Sequence, residues 1–464
     1  MSKTWQLFRR AALCSLAMAA STRASVKPNP LFSDGMVLQQ GRPVAVWGTA
    51  QDGEAVTVKF QGQEVATTAK DGAWTVKLDA LKPGGPELMT IKGQDTVEVK
   101  DVLVGEVWLA SGQSNMEWPV RASADVEAVL ASANDPMIRL FTVPRGGSGM
   151  PKTAVDASWK PCTPETVGGF SAVAFAFGKQ LRKALGVPVG LINTSVGGTP
   201  AEAWTSAEAL GADPALKPIL DYSSQGTNKP SVLYNAMIAP LVPYGVRGAI
   251  WYQGESNASR AEQYRVLFPA MIADWRRRFG QGDFPFLFVQ LAPFRDRKDA
   301  PGESQWAELR EAQSLTKAHV PNTGMAVITE LGDEKDIHPK QKEPVGARLA
   351  LEALRIAYGK DVVSSGPTYK DMKVDGDKAI LSFDDLGGGL VAKGGVALTG
   401  FAIAGPDKKF VNAKAEIVGD TVIVTGEGVA QPTAVRFGWA DFPVLNLTNK
   451  ADLPASPFRT DGPK

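Results

Sequence analysis

Val102-Leu103-Val104-Gly105-Glu106-Val107-Trp108-Leu109-Ala110-Ser111-Gly112-Gln113-Ser114-Asn115-Met116 is the stretch whose reading decides the fold. Val102 to Ala110 is nearly continuous apolar sequence, as in a strand buried on both faces, and it gives way at once to small polar residues. The same grammar recurs three times. Val187 to Ile192 is followed by Asn193-Thr194-Ser195-Val196-Gly197-Gly198-Thr199, and Val246 to Tyr252 by Gln253-Gly254-Glu255-Ser256-Asn257. Met325 to Leu331 is followed by Gly332-Asp333-Glu334-Lys335-Asp336-Ile337-His338-Pro339. Amphipathic helical segments such as Gln305 to Ala318 fall between these runs, which predicts a parallel sheet with helices on both faces. Sites in such sheets form outside the carboxyl ends of the strands. The four loops would therefore meet along one edge.

Outward from this block, residues 102–360, the texture changes on both sides. Residues 25–101 carry short alternating runs, Pro43 to Trp47, Ala55 to Phe60 and Ala73 to Leu78, punctuated by Asp52-Gly53 and Asp71-Gly72. This is the pattern of a small β-sandwich. Residues 361–464 return to short strands, Ala379 to Phe383 and Thr421 to Val424, with Gly387-Gly388-Gly389 as a loop. Residues 1–24 read as a signal peptide: Lys3, Arg9 and Arg10, a short apolar run from Ala11 to Ala20, and Thr22-Arg23-Ala24 at the cleavage site. The expected location is periplasmic or secreted. Cleavage removes four basic residues and no acids, leaving 46 basic against 49 acidic residues, a net charge of −3. It also removes Cys14 and leaves Cys162 alone, so no disulfide is expected. A chain of 464 residues is too long for one ordinary core. The near balance of Lys+Arg 50 and Asp+Glu 49 gives no footprint for nucleic acid, and no later run is long enough to span a bilayer.

The loops supply the parts of an acyl-transfer site. Ser114 is the candidate nucleophile, inert until a base takes its proton. The chain has only two histidines, so the base is His319 or His338; His319 ends the helix from Gln305, as a C-terminal cation does, whereas His338 sits in the fourth loop. Asp336 is the nearest acid to orient the imidazole, with Asp333 as the alternative. Backbone N–H groups of Ser114 and of Gly197 or Gly198, with a side-chain amide, would hold the oxyanion. Two histidines cannot build a multi-histidine metal site, and no metal or cofactor is expected.

Four motifs, Gly112-Gln113-Ser114-Asn115-Met116-Glu117-Trp118, Gly197-Gly198-Thr199-Pro200-Ala201-Glu202-Ala203-Trp204, Trp251-Tyr252-Gln253-Gly254-Glu255-Ser256-Asn257 and Asp336-Ile337-His338-Pro339, resemble the sialate O-acetylesterase group of the SGNH hydrolases. Asp34 to Gln39, Gly438-Trp439-Ala440-Asp441 and Leu453 to Arg459 extend the resemblance over nearly the whole chain. It implies a three-layer α/β/α core and removal of O-acetyl groups from sugars through an acetyl-serine intermediate. It also implies Ser114 as nucleophile, His338 as base and Gly198 as an oxyanion donor. The third motif is shifted by one against the broader superfamily, which leaves Gln253 or Asn257 as the oxyanion amide, Gln253 being preferred. Trp118, Trp204 and Glu255 are the expected substrate contacts. Acetylxylan and other acetylated glycans fit the same chemistry. A glycosidase pairing Glu255 with Asp336 would leave Ser114 and His338 unexplained, and in a non-catalytic sugar-binding surface protein Trp118, Trp204 and Trp251 would only stack on sugar rings.

Overall fold

A computed structural model of the chain describes residues 26–462. The signal-peptide reading and Cys14 lie outside the described residues. The fold is mixed α/β. Six strands, β1 (Thr96–Gly112), β2 (Asp135–Thr142), β3 (Val189–Ser195), β4 (Gly248–Tyr252), β5 (Phe286–Val289) and β6 (Thr323–Ala326), form a parallel sheet in the order β2-β3-β1-β4-β5-β6. A short antiparallel strand, Lys160–Cys162, closes one edge beside β2. The chain leaves β1 toward β2 and β3 on one side and later returns to β4 on the other. The strand order thus reverses at β1, and a crevice opens at its carboxyl end.

Both faces of the sheet are buried, because successive side chains of a strand point to opposite sides. Val107 and Leu109 of β1, Trp251 of β4 and Phe286 and Phe288 of β5 belong to one apolar cluster. Helices α2 (Ala261–Phe279) and α3 (Gln305–His319) cover it with Leu267, Phe268, Trp275 and Leu309. The alternate residues Trp108, Ala110, Ile250, Tyr252 and Leu287 join a second cluster. There Phe177 and Leu181 of α1 (Ala172–Leu185) and Val345 and Leu349 of α4 (Glu343–Ile356) complete the packing. Ser171 caps α1 by accepting the Ala174 N–H, as an N-cap serine does. Gly346 lets α4 approach α1, since a Cβ there would stand 2.6 Å from the Val173 carbonyl oxygen.

The N-terminal β region is continuous with this sheet. The first half of β1 pairs with Gly84–Lys92 and Val37–Gln39, and its second half pairs with β3 and β4. Val56, Val58, Trp74 and Val76 share the cluster that holds Val107 and Trp251. The strands expected at Ala55 to Phe60 and Ala73 to Leu78 form with those bounds. The run Met325 to Leu331 is strand only as far as Ala326. The remainder turns toward the edge of the sheet, where Leu331 N–H meets the Ile328 carbonyl. Strands at Lys378–Asp384 and Thr421–Gly426 belong to a seven-stranded C-terminal sheet with a cluster of its own. Among the described residues no helix is long and apolar enough to cross a membrane.

Candidate active site

Gly112 ends β1 level with both neighbours, opposite Ser195 of β3 and Tyr252 of β4. Its φ is +137°, and a Cβ would lie 2.2 Å from the Tyr252 carbonyl oxygen, so the chain turns here only with glycine. One helical turn, Ser114–Glu117, follows. It lifts the half-buried Ser114 above the strand ends. The Gln113 carboxamide oxygen anchors this turn to the third loop by accepting the N–H groups of Gly254 (3.4 Å) and Ser256 (3.3 Å).

Ser114 and His338, the first and fourth loops, meet here. Ser114 Oγ is 2.9 Å from His338 Nε2. On the far side of the ring, Asp336 Oδ1 lies 3.4 Å from Nδ1 and accepts the His338 backbone N–H at 2.9 Å. Asp333 faces elsewhere: its Oδ1 accepts the N–H groups of Lys335 (2.8 Å) and Asp336 (3.0 Å), shaping the loop. These bonds hold the Asp333 carboxyl below its ordinary value. Burial lowers the His338 pKa, Asp336 raises it and Lys342 lowers it; the net direction is down. The imidazole therefore stays neutral, as a base must, to below its ordinary value of about 6.5.

Gly198 adopts φ +70°, and a Cβ there would meet nothing within 4 Å. Neither its N–H nor that of Ser114 has an acceptor among the described residues. The Gly197 N–H, by contrast, is donated to Glu117 Oε2 at 2.5 Å. Gln253 is turned away. It is fully buried, its Nε2 donates to Asn257 Oδ1 (2.7 Å) and the Thr199 carbonyl (3.3 Å), and its Oε1 accepts the Tyr264 hydroxyl (3.1 Å). Both amide protons are used, which removes the preferred oxyanion amide from the site. Asn257 Nδ2 donates one proton to Glu202 at 2.9 Å and keeps a second.

The three expected substrate contacts behave differently. Trp118 stacks on His338, ring centroids 4.9 Å apart and 20° between planes, so one face carries the imidazole rather than a sugar. Trp204 is wholly buried: its Nε1 donates to Thr199 Oγ1 and its ring packs edge-on against Trp251. The short helical turn Ala201–Trp204 rotates it into the core, and it is not a sugar platform. Glu255 also points inward, accepting from Asn115 Nδ2 at 2.6 Å, while its Oε2 is buried with no partner among the described residues. Burial raises its pKa against the opposing pull of Asn115 and Lys342.

Sequence reading missed Asn115 and Lys342. Asn115 Nδ2 also donates to the Ile337 carbonyl at 3.1 Å, and its Oδ1 accepts from Lys342 Nζ. One carboxamide thus ties the Ser114 turn, the third loop and the histidine loop together. Lys342 is almost fully buried, and this pushes its pKa down to about 7. Its position four residues after His338, at the start of α4, was the available signal. Beside Gly198 and Ser256 opens a cavity of about 520 Å³, with Tyr222, Gln225, Asn228 and Arg260 in its wall. Arg260 is neutralised by the buried Glu202 at 2.6 Å and lies over the Tyr222 ring.

The family described as carbohydrate esterase, sialic acid-specific acetylesterase matches residues 104–355. Human sialate O-acetylesterase is 36% identical over 393 residues, covering 76% of this chain and 75% of that protein. The mouse enzyme is 35% identical over 413 residues, covering 75% and 76%. The crystal structure of a carbohydrate acetylesterase from Xanthomonas citri, 45% identical, superposes with a TM-score of 0.88 over 94% of this chain and 99% of that one.

Proposed function

The chain belongs to the sialic acid-specific acetylesterase family of carbohydrate esterases and is an ester hydrolase; from that premise we propose that it is an exported enzyme, periplasmic or secreted, that removes O-acetyl groups from sugars through an acetyl-serine intermediate. In this reading the parallel-sheet block is a three-layer SGNH-hydrolase core, flanked by N- and C-terminal β domains. The observation that carries the mechanism is the line Ser114–His338–Asp336, with contacts of 2.9 Å and 3.4 Å on the two ring nitrogens.

His338 Nε2 takes the Ser114 proton as Oγ attacks the acetyl carbonyl. Asp336 keeps the proton on Nδ1 and stabilises the imidazolium that forms. The N–H groups of Ser114 and Gly198, neither with an acceptor among the described residues, would hold the oxyanion, and the second Asn257 amide proton is the candidate third donor. Collapse of the tetrahedral species breaks the bond to the sugar oxygen, which leaves with the proton from His338. Water, deprotonated by the same ring, then attacks the acetyl-serine; collapse breaks the Oγ–acyl bond, His338 returns the proton to Ser114 Oγ, and the acetyl group leaves as acetic acid, which ionises to acetate. Trp118 fixes the imidazole plane by stacking. Arg260, the cation in the wall of the 520 Å³ cavity, is already paired with Glu202, so its recognition rests on hydroxyl and amide groups.

The test is mass labelling by a fluorophosphonate combined with acetate release from a panel of acetylated sialic acid, acetylated xylan and simple acetylated sugars. Adduct on Ser114, and loss of acetate release in Ser114→Ala with unchanged thermal stability, is expected. Near-wild-type release by that variant refutes the mechanism.

A further inference from the structure

We propose that Glu117 is a positioning residue for the reaction: its carboxylate holds the Gly197-Gly198 loop so that the Gly198 N–H is presented where the oxyanion forms. The inference rests on the acetyl-serine reading and adds a residue to it. Glu117 closes the helical turn that Ser114 opens, and side chains three residues apart on a helix lie on the same face. Its Oε2 accepts the Gly197 N–H at 2.5 Å. Among the described residues this is the one hydrogen bond made by either glycine. A Cβ on Gly197 would stand 3.0 Å from Glu117 Oε2 and 3.3 Å from Ser114 Cβ, so the loop packs directly against the Ser114 turn.

The flanks of the loop are tied down without Glu117. The Val196 N–H donates to the Gly112 carbonyl at 3.1 Å, Thr199 Oγ1 donates to the Val196 carbonyl at 2.8 Å, and the Ala201 N–H donates to Asn257 Oδ1 at 2.9 Å. Between them stand two glycines, whose backbone can turn through conformations closed to other residues. Gly198 takes φ +70°, lies in the wall of the 520 Å³ cavity and keeps an N–H without an acceptor among the described residues. Once Glu117 holds the Gly197 N–H, only the two torsions of Gly197 separate that anchor from the Gly198 N–H. The same bond occupies the Gly197 N–H and leaves Gly198 as the donor of the pair.

The charge of Glu117 works against catalysis, which separates reach from electrostatics. A carboxylate near a developing oxyanion repels it. Arg145, whose guanidinium pairs with Glu117 Oε1, offsets that repulsion, but its side chain is 68% exposed and solvent screens it. What the carboxylate contributes is an acceptor oxygen at bonding distance from Gly197. An amide of the same length would keep that oxygen and lose the repulsion, whereas a shorter carboxylate would keep the repulsion and lose the bond.

The experiment compares Glu117→Gln, Glu117→Asp and Glu117→Ala in the full chain, with Ser114→Ala alongside. On 4-nitrophenyl acetate, kcat and kcat/KM should fall together by about 30-fold or more in Glu117→Asp and Glu117→Ala, because a misplacement of about 1 Å costs on the order of 10². Glu117→Gln should lose about fivefold or less, as a neutral acceptor replaces a charged one. A second readout is inhibition by phenylboronic acid: Ser114 Oγ adds to the boron, His338 takes the proton, and the tetrahedral anion puts an oxygen where the oxyanion forms. Its affinity should fall in step with kcat/KM in Glu117→Asp and Glu117→Ala and stay near wild type in Glu117→Gln, a pattern that a merely structural role would not produce. Melting temperatures establish folding, and Glu117→Asp carries the comparison with Glu117→Gln if Glu117→Ala does not fold. Activity within about threefold of wild type in a folded Glu117→Asp or Glu117→Ala overturns the proposal. So does a loss in Glu117→Gln equal to that in Glu117→Ala. A gain of activity in Glu117→Ala also overturns it, by making Gly197 the oxyanion donor and Glu117 its block. Acetate release retained by Ser114→Ala would bring down the serine mechanism itself, whereas its loss beside unaffected Glu117 variants would overturn this inference alone.

Discussion

Asp336→Asn tests the reading of the histidine loop most directly. The substitution keeps an oxygen to accept the His338 backbone N–H, so the turn retains its shape while the charge is lost. The carboxylate lies 3.4 Å from Nδ1, placing the charge centres about 4 Å apart, where attraction is worth about 1 kcal/mol in water and about 4 kcal/mol at an effective dielectric near 20. The Asp336 side chain is 43% exposed, which draws the value toward the lower half, about 2 kcal/mol, or roughly thirtyfold in rate. Loss of the favoured tautomer adds to this, as in serine proteases, where a buried aspartate is worth about 10⁴. We therefore expect turnover on 4-nitrophenyl acetate to fall by between roughly 30- and 1000-fold, with KM little changed. The pH profile carries a second sign. Asp336 raises the His338 pKa, so its removal should move the acid limb of kcat/KM to lower pH. Asp333→Asn, which preserves the oxygen accepting two loop N–H groups, should cost about threefold or less. A severe defect in Asp333→Asn beside a near-normal Asp336→Asn, or an upward shift of the acid limb in Asp336→Asn, would refute the arrangement.

Gln253→Ala should act on stability, lowering it by about 2–4 kcal/mol because Tyr264, Asn257 and Thr199 each lose a buried partner; an unchanged melting temperature with a 10²–10³ loss in turnover would instead return Gln253 to the oxyanion hole. Lys342→Met removes a cation that holds the His338 pKa down, so the acid limb of kcat/KM should move to higher pH; a downward shift contradicts the electrostatics described here. Gly112→Ala should give little folded protein, since its Cβ would overlap the Tyr252 carbonyl at a positive φ; normal expression and melting would show that the turn can relax.

The strand ends were legible because long apolar runs stop abruptly at small polar residues, and β1, β3 and β4 end at Gly112, Ser195 and Tyr252 in near agreement with that pattern. β2 and β5 were not singled out. Asp135-Pro136-Met137-Ile138-Arg139 mixes polar and apolar residues without alternation, and Phe286 to Val289 is too short to stand out. Within the site, the pairing of Ser114 with His338 followed from topology, since both loops leave the same end of the sheet. The direction of individual side chains did not. Trp204 and Glu255 sit in short helical turns that rotate them inward, and no pattern along the chain distinguishes an inward from an outward residue there. Gln253 continues directly from the buried strand Gly248–Tyr252, so its amide is captured by Tyr264 and Asn257 before it can face a substrate. The partner of Lys342, Asn115, lies far away in the chain, so along the sequence its one signal is its place four residues after His338.

The strand Thr96–Gly112 joins segments that precede it in the chain to segments that follow it. Its first half is bonded to residues 37–39 and 84–92, all of which precede it in the chain. Its second half waits for residues 189–195 and 248–252. Without β3 and β4, Val107 to Ala110 would be an unpaired apolar edge. Such an edge invites pairing with a neighbouring chain. It is also a template: β3 and β4 register on one and the same strand, and the turn that carries Ser114 is aligned by strands on either side of it.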